Sequence, residues 1–293
     1  MSNTLDLDST GFGIELEGFI VDKNGNPLSL IAGESSYLAL KNALGAPEWL
    51  SAELLSCQAE VKTEKVHPCS ELALAEINRH IDTVNSALNK LLPGCFFDTS
   101  ATTNMSGVDL IAADPNESSY NRVLEWSQTP RGREILRSTA TCSMQLCVSN
   151  HLEGMNYSDR WLWLQNAYDY LHKNAEQILA LNHSNRFKVG EELIRSVKAN
   201  NFRQLGLLDK YGLEWITRPC GRDLQNWYMA HSGVLSLTQM NSKDAHSILA
   251  KGKLVPGTKD LVCIEYRFKD AETNLERCLE SILNVHYQIL CEN

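Results

Sequence analysis

Four separated stretches of this chain alternate with period two, each with one apolar face and an opposite face of carboxylates, an amide or an arginine. No other feature restricts the fold as much. Strand side chains point alternately to two faces, so over residues 13–22 Ile14 and Leu16 share one face while Glu15 and Glu17 share the other. Over 55–63 the same rule sets Cys57, Ala59 and Val61 against Gln58, Glu60 and Lys62. Over 142–148 it sets Cys142, Met144, Leu146 and Val148 against Ser143, Gln145 and Cys147. Over 261–268 it sets Val262, Ile264, Tyr266 and Phe268 against Glu265 and Arg267.

An antiparallel sheet with one solvated face ordinarily alternates in this way, so one such strand means little. Glutamate is depleted in strands, however, and Glu15 and Glu17 place like charges on one face with no cation between them in sequence. A bound cation accounts for that placement. Magnesium takes oxygen ligands, typically one or two carboxylates, and leaves its other positions to water and substrate phosphates. Glu15, Glu17, Glu60 and Glu265 suit one or more such ions, which leaves Arg267 to hold phosphate oxygens.

With 293 residues, 43% of them apolar, the chain can bury a sizeable core. It has no run of about 18 apolar residues, and its first residues lack the basic and apolar regions of a signal peptide. A cytoplasmic, non-membrane protein is the expectation. Nine cysteines without a Cys-x-x-Cys pair, many in apolar contexts (Cys57, Cys142, Cys263, Cys278), read as reduced, buried thiols. A net charge of -9 with no compensating basic cluster argues against nucleic acid or anionic membrane as partner and leaves small-molecule chemistry.

Along the chain, turn formers at 22–27 predict a hairpin onto Leu28-Ser29-Leu30. Helical spacing predicts helices over 34–44, over 70–92 with Ser70 as N-cap, over 116–125 and 131–139 around Pro130, over 158–181, over 241–250 and over 271–290. A short strand is expected around Cys95-Phe96-Phe97. Residues 183–201 are polar and basic and read as a substrate-facing loop. Strands and helices mix without regular βαβ alternation, which favours an α+β fold: one domain over 1–293, an antiparallel sheet with a polar face, and helices on the other face. The helical stripes can all be used inside one subunit, and a homodimer remains open.

The order of these pieces carries a resemblance. Gly13-Ile14-Glu15-Leu16-Glu17, then Glu60-Val61-Lys62-Thr63, then the Gln145 strand, then Ile264-Glu265-Tyr266-Arg267-x-x-Asp270 is similar to the glutamate–cysteine ligase type 2 family of carboxylate–amine ligases, which has the glutamine synthetase fold. The resemblance implies an ATP-dependent ligase whose curved sheet floor binds Mg2+ and nucleotide and joins an amino-acid carboxylate to an amine, by default glutamate to cysteine. It implies Glu15, Glu17, Glu53, Glu60 and Glu265 as metal ligands and Gln145 near metal or nucleotide. It further implies Arg267 at the transferred phosphate and Arg195 as a downstream substrate or phosphate arginine. The sequence departs from the family's pattern at two places: the His-Val-His strand reads Gln145-Leu146-Cys147 here, and the Gly-Thr-His-Pro segment expected near 98–107 reads Asp98-Thr99-Ser100-Ala101-Thr102-Thr103-Asn104.

Two other readings fit the residues: a divergent nucleotide- or amino-acid-binding protein without turnover, and a hydrolase using two of the carboxylates as acid and base. His151, His172, His183, His231, His246 and His286 are scattered, so no zinc site is expected from them. Cys147 lies on the polar face, but no base beside it is identifiable from sequence, so it reads as a buried thiol and not as a nucleophile.

Overall fold

The computed structural model describes residues 11–101, 103–114, 116, 128–130, 133, 140–149, 154–174, 177, 178, 181, 187–189, 192–194, 250–254 and 261–292. In chain order the elements are β1 (Phe12–Val21), β2 (Leu30–Ile31), β3 (Glu34–Ser35), α1 (Ser36–Ala43), β4 (Leu50–Ala52), β5 (Gln58–Lys62) and α2 (Ser70–Leu91). They continue with β6 (Phe96–Asp98), β7 (Ser143–Val148), α3 (Tyr157–Lys173), β8 (Phe187–Val189), β9 (Glu192–Ile194), β10 (Ala250–Leu254), β11 (Leu261–Asp270) and α4 (Leu275–Glu292). The architecture is mixed α and β around an antiparallel sheet.

That sheet has seven strands in the order β10-β11-β7-β1-β5-β4, with β6 added to the end of β1. All four stretches recognised by alternation belong to it, and they are spatial neighbours. β1 lies at the centre, with Glu15 opposite Lys62 of β5 and Gln145 of β7, and Glu17 opposite Glu60 of β5. Directly opposed residues share a face, so this register gathers the polar side chains of three strands. The other face holds Ile14, Leu16, Ile20, Val61, Met144, Leu146, Ile264 and Tyr266, all buried in one apolar core.

Helices close that core. α2 packs along β1, β5 and β6, and α4 along β7 and β11. α2 buries Ala73, Leu74, Ile77, Val84, Ala87 and Leu88 at three- and four-residue spacing, as an amphipathic helix must. Leu91, its last residue, is exposed. Gly18 is needed at the β1 crossing because the Phe97 ring lies directly over it, and a Cβ there would sit 2.3 Å from Phe97 Cζ.

Several local expectations change. Cys69, in extended conformation, is the N-cap of α2, and Ser70 is the first helical residue. The 22–27 turn forms, held by the Asp22 carboxylate accepting from the backbone N of Asn24 and Asn26. Leu28 N donates to Ile20 O, after which the chain leaves β1 and β2 pairs with β3. α4 begins at Leu275, not 271, because Asn274 caps it by accepting from Arg277 N, while Ala271 N is still bonded to Cys142 O. Residues 187–189 and 192–194, inside the expected loop over 183–201, form a two-stranded hairpin. Ala250 opens the edge strand β10, so the helix predicted over 241–250 does not include its last residue. Residues 241–249 and the helices expected over 116–125 and 131–139 lie outside the described residues, apart from isolated positions in the latter two. Among the described residues no helix is long and apolar enough to cross a membrane.

Candidate active site

The polar face of the sheet brings the carboxylates together in two groups. In one, Glu17 of β1, Glu53 just after β4 and Glu60 of β5 offer oxygens within 4.8 Å of one another. In the other, Glu15 of β1, Cys147 of β7 and Glu265 of β11 do the same. Two carboxylates at that 4.8 Å limit repel by about 3 kcal/mol at an effective dielectric of about 20. Three in one group make a site that a cation would stabilise.

Glu17 is the best held of them. It is buried, with Oε2 accepting from Ser143 N at 2.8 Å and Ser143 Oγ at 2.9 Å, and Oε1 accepting from Gln145 Nε2 at 2.8 Å. These donors come from β7, the neighbouring strand, and they fix the carboxylate before any ligand arrives. With its amide nitrogen committed to Glu17, Gln145 keeps a buried Oε1 with no hydrogen-bond partner among the described residues. Sequence reasoning placed Ser143 on this face but gave it no role. A serine opposite a strand glutamate, with both its N–H and O–H in reach, was the available signal.

Besides Lys62, opposite Glu15, this face carries the cation Arg267. Its Nη1 donates to Glu265 Oε1 at 2.6 Å. Burial works against its charge, but Glu265, Glu17 and Glu15 together outweigh that and raise its pKa. The backbone explains its placement. Tyr266 stands opposite Leu146 and Lys269 opposite Met144, so Arg267 and Phe268 together face one residue of β7, Gln145. This is a β-bulge, a device that re-aims a side chain locally.

The outcome for the individual residues is direct. Glu15, Glu17, Glu53, Glu60, Glu265, Gln145 and Arg267 all meet on this face or at its rim. Arg195 lies outside the described residues, as do His151, His183, His231 and His246 and the side chain of His172. His286 is a packing residue, buried and bonded at 2.9 Å to Tyr266 OH. Cys57, Cys142, Cys263 and Cys278 are buried and form no disulfide, and burial pushes the Cys57 and Cys278 thiols up to about 12. Cys147, half-buried, lies 3.8 Å from Glu265 Oε2.

The donor chemistry can be tested against a divalent ion. The all-oxygen set Glu17, Glu53 and Glu60, beside the spare acceptor Gln145 Oε1, fits a hard cation such as Mg2+. The Glu15, Cys147 and Glu265 set mixes two carboxylates with a softer thiol.

No family model and no curated protein matches the chain. Solved structures do. A bifunctional glutathione synthetase from Pasteurella multocida superposes with a TM-score of 0.59 at 14% identity, over 97% of this chain and 39% of that one. A glutamate–cysteine ligase from Francisella tularensis, in complex with AMP, superposes with a TM-score of 0.52 at 10% identity, over 89% of this chain and 61% of that one. The chain thus shares a fold with these two proteins and spans less than two thirds of the length of either.

Proposed function

We propose that this protein is an ATP-dependent carboxylate–amine ligase that forms an amide through an acyl phosphate, with glutamate and cysteine as the default pair and γ-glutamylcysteine as product. The observation that carries the reading is the meeting of Glu17, Glu53 and Glu60 beside the Glu265–Arg267 pair on one face of the sheet. The shared fold and the AMP held by the second solved ligase support it.

A carboxylate is a poor acylating agent. Its oxygen attacks the γ-phosphorus of ATP, the bond to ADP breaks, and the resulting acyl phosphate accepts the amine at its carbonyl carbon. Phosphate then leaves, and the ammonium loses a proton. Phosphoryl transfer depends mainly on positioning and charge neutralisation. Magnesium held by Glu17, Glu53 and Glu60, with Glu15 and Glu265 as the second group, would supply that neutralisation at the phosphate oxygens. Ser143 and Gln145 keep Glu17 in place, and Arg267, shared with Glu265, offers a planar two-donor fork to the moving phosphoryl group. Arg195 is assigned to the substrate or phosphate by the resemblance alone.

Cys147, standing where the resembled family has the second histidine of its strand, favours a second reading, a binder that keeps the floor without turnover. ADP release with Mg2+ and ATP over pooled amino acids, with and without hydroxylamine, separates the two. The ligase reading expects amino-acid-dependent ADP and a trapped hydroxamate, both lost in Glu60→Gln. Nucleotide binding with no ADP from any pool selects the binder.

A further inference from the structure

On the helix side of the sheet, at the foot of α2, a second group of ligating side chains has no place in the ligase chemistry. Glu64 just past β5 and Glu76 and His80 of α2 offer three donor atoms within 4.8 Å of one another. His80 Nε2 stands 3.8 Å from Glu76 Oε1 and 4.0 Å from Glu64 Oε2, outside hydrogen-bond reach of both. The ring is locked by Trp49, stacked on it at 4.1 Å and 14°. His80 is 4% exposed, and its other nitrogen, Nδ1, has no hydrogen-bond partner among the described residues. Nε2 thus faces two carboxylates without a hydrogen bond to either.

Glu76 is fixed from behind. His67 Nε2 bonds its Oε2, and His67 is itself pinned by backbone hydrogen bonds of 2.8 Å in both directions with Phe12. Its Oε1 faces Glu64 N and Arg79 Nη2, each at 3.4 Å, and the Arg79 side chain is largely exposed. A buried latch between His67 and Glu76 would explain that pair. It would not explain why His80, packed under Trp49, turns a nitrogen toward two acids.

We propose that Glu64, Glu76 and His80 bind a divalent transition-metal ion of the zinc class, with His67 as the residue that orients Glu76. One imidazole nitrogen and two carboxylate oxygens form a three-ligand set that zinc accepts, with water in the fourth position. Ligands about 2.1 Å from a tetrahedral zinc stand roughly 3.4 Å apart, so the observed 3.8 and 4.0 Å need to close by only a few tenths of an ångström. The site would tie the segment after β5, the strand bearing Glu60, to α2.

The test is zinc bound per chain by the full-length, chelator-stripped protein in excess Mg2+, measured by equilibrium dialysis for wild type, Glu64→Gln, His80→Gln, His67→Gln and Glu60→Gln. Glu64 is exposed, so Glu64→Gln folds even where His80→Gln does not. One zinc fewer per chain in Glu64→Gln, about tenfold weaker uptake in His67→Gln and undiminished uptake at this site in Glu60→Gln are expected. Equal zinc in wild type and Glu64→Gln, whether none or one held elsewhere, overturns the site. The result does not depend on ligase turnover.

Discussion

Strand β11 carries two ion pairs a few residues apart, and they serve opposite sides of the sheet. Glu265 and Arg267 pair on the polar face at 2.6 Å, where Arg267 also feels Glu15 and Glu17. Lys269 pairs with Glu272 and donates to Leu181 O at 3.3 Å on the helix side, with no exposed surface at all. Strict alternation from Glu265 would have put Lys269 on the polar face as a second cation. The bulge at Arg267 and Phe268 shifts the register by one, so that Lys269 faces Met144 and Asp270 faces Ser143. One inserted residue decides that the arginine stays on the polar face while the lysine joins the core.

The largest effect that would break this contrast is on stability. Lys269→Met removes one partner of a buried pair and leaves the Glu272 carboxyl buried without its counter-ion, which costs about 3–5 kcal/mol. Urea denaturation should show that loss, and Lys269→Met with Glu272→Gln should recover much of it. A single variant as stable as wild type would mean that Lys269 is not buried as the register dictates.

Arg267→Lys should behave in the opposite way. A point charge replaces a planar fork, so kcat should fall about a hundredfold, roughly 2.7 kcal/mol of transition-state stabilisation. ATP affinity should change only a few-fold and the urea midpoint little. Steady-state kinetics beside nucleotide titration checks this. An unchanged kcat would remove Arg267 from the phosphoryl step.

Much of this was legible before any coordinates. Alternation assigned the faces of β1, β5 and β7, and of β11 from Ile264 to Tyr266, correctly, because a half-buried strand cannot slip by one residue without exposing its apolar side. The bulge was not legible: no glycine marks it, and Arg267 and Phe268 each fit an unbroken strand. β10 was missed because Ala-Lys-Gly-Lys-Leu has the lysines of a protected edge strand and not a core pattern. Glu53 follows the three-residue strand β4, too short for periodicity to reveal, so only the resemblance pointed to it. His67 and His80 escaped notice because Glu64 and His67 lie on a connection and meet α2 only through tertiary packing.

Glu60→Gln sharpens the contrast from the metal side. With Mg2+ at about a hundred times its dissociation constant, the wild-type protein should gain about 2.7 kcal/mol against urea, and the variant should lose most of that gain. In chelator the sign reverses. Removing one of three crowded carboxylates should make the variant slightly more stable than wild type, a modest effect because Glu60 is only half-buried. Magnesium-induced stabilisation that survives in the variant would place the ion away from Glu17, Glu53 and Glu60.

The smallest effect concerns what holds β11 just before its bulge. Tyr266 is the last residue in regular register, and its phenol reaches His286 of α4 at 2.9 Å with both groups buried. Burial raises the phenol's pKa far above its usual value, so it stays protonated and keeps its hydrogen bond with His286 Nδ1. Tyr266→Phe should therefore cost about 1 kcal/mol in urea, the net worth of one buried hydrogen bond. Because the phenol points to the helices while Arg267 sits across the sheet, kcat should stay within about twofold, well short of the loss expected for a group touching the reaction. A tenfold fall in kcat with little loss of stability would show instead that the Tyr266 anchor sets the aim of Arg267, and that the two faces of β11 are mechanically one unit.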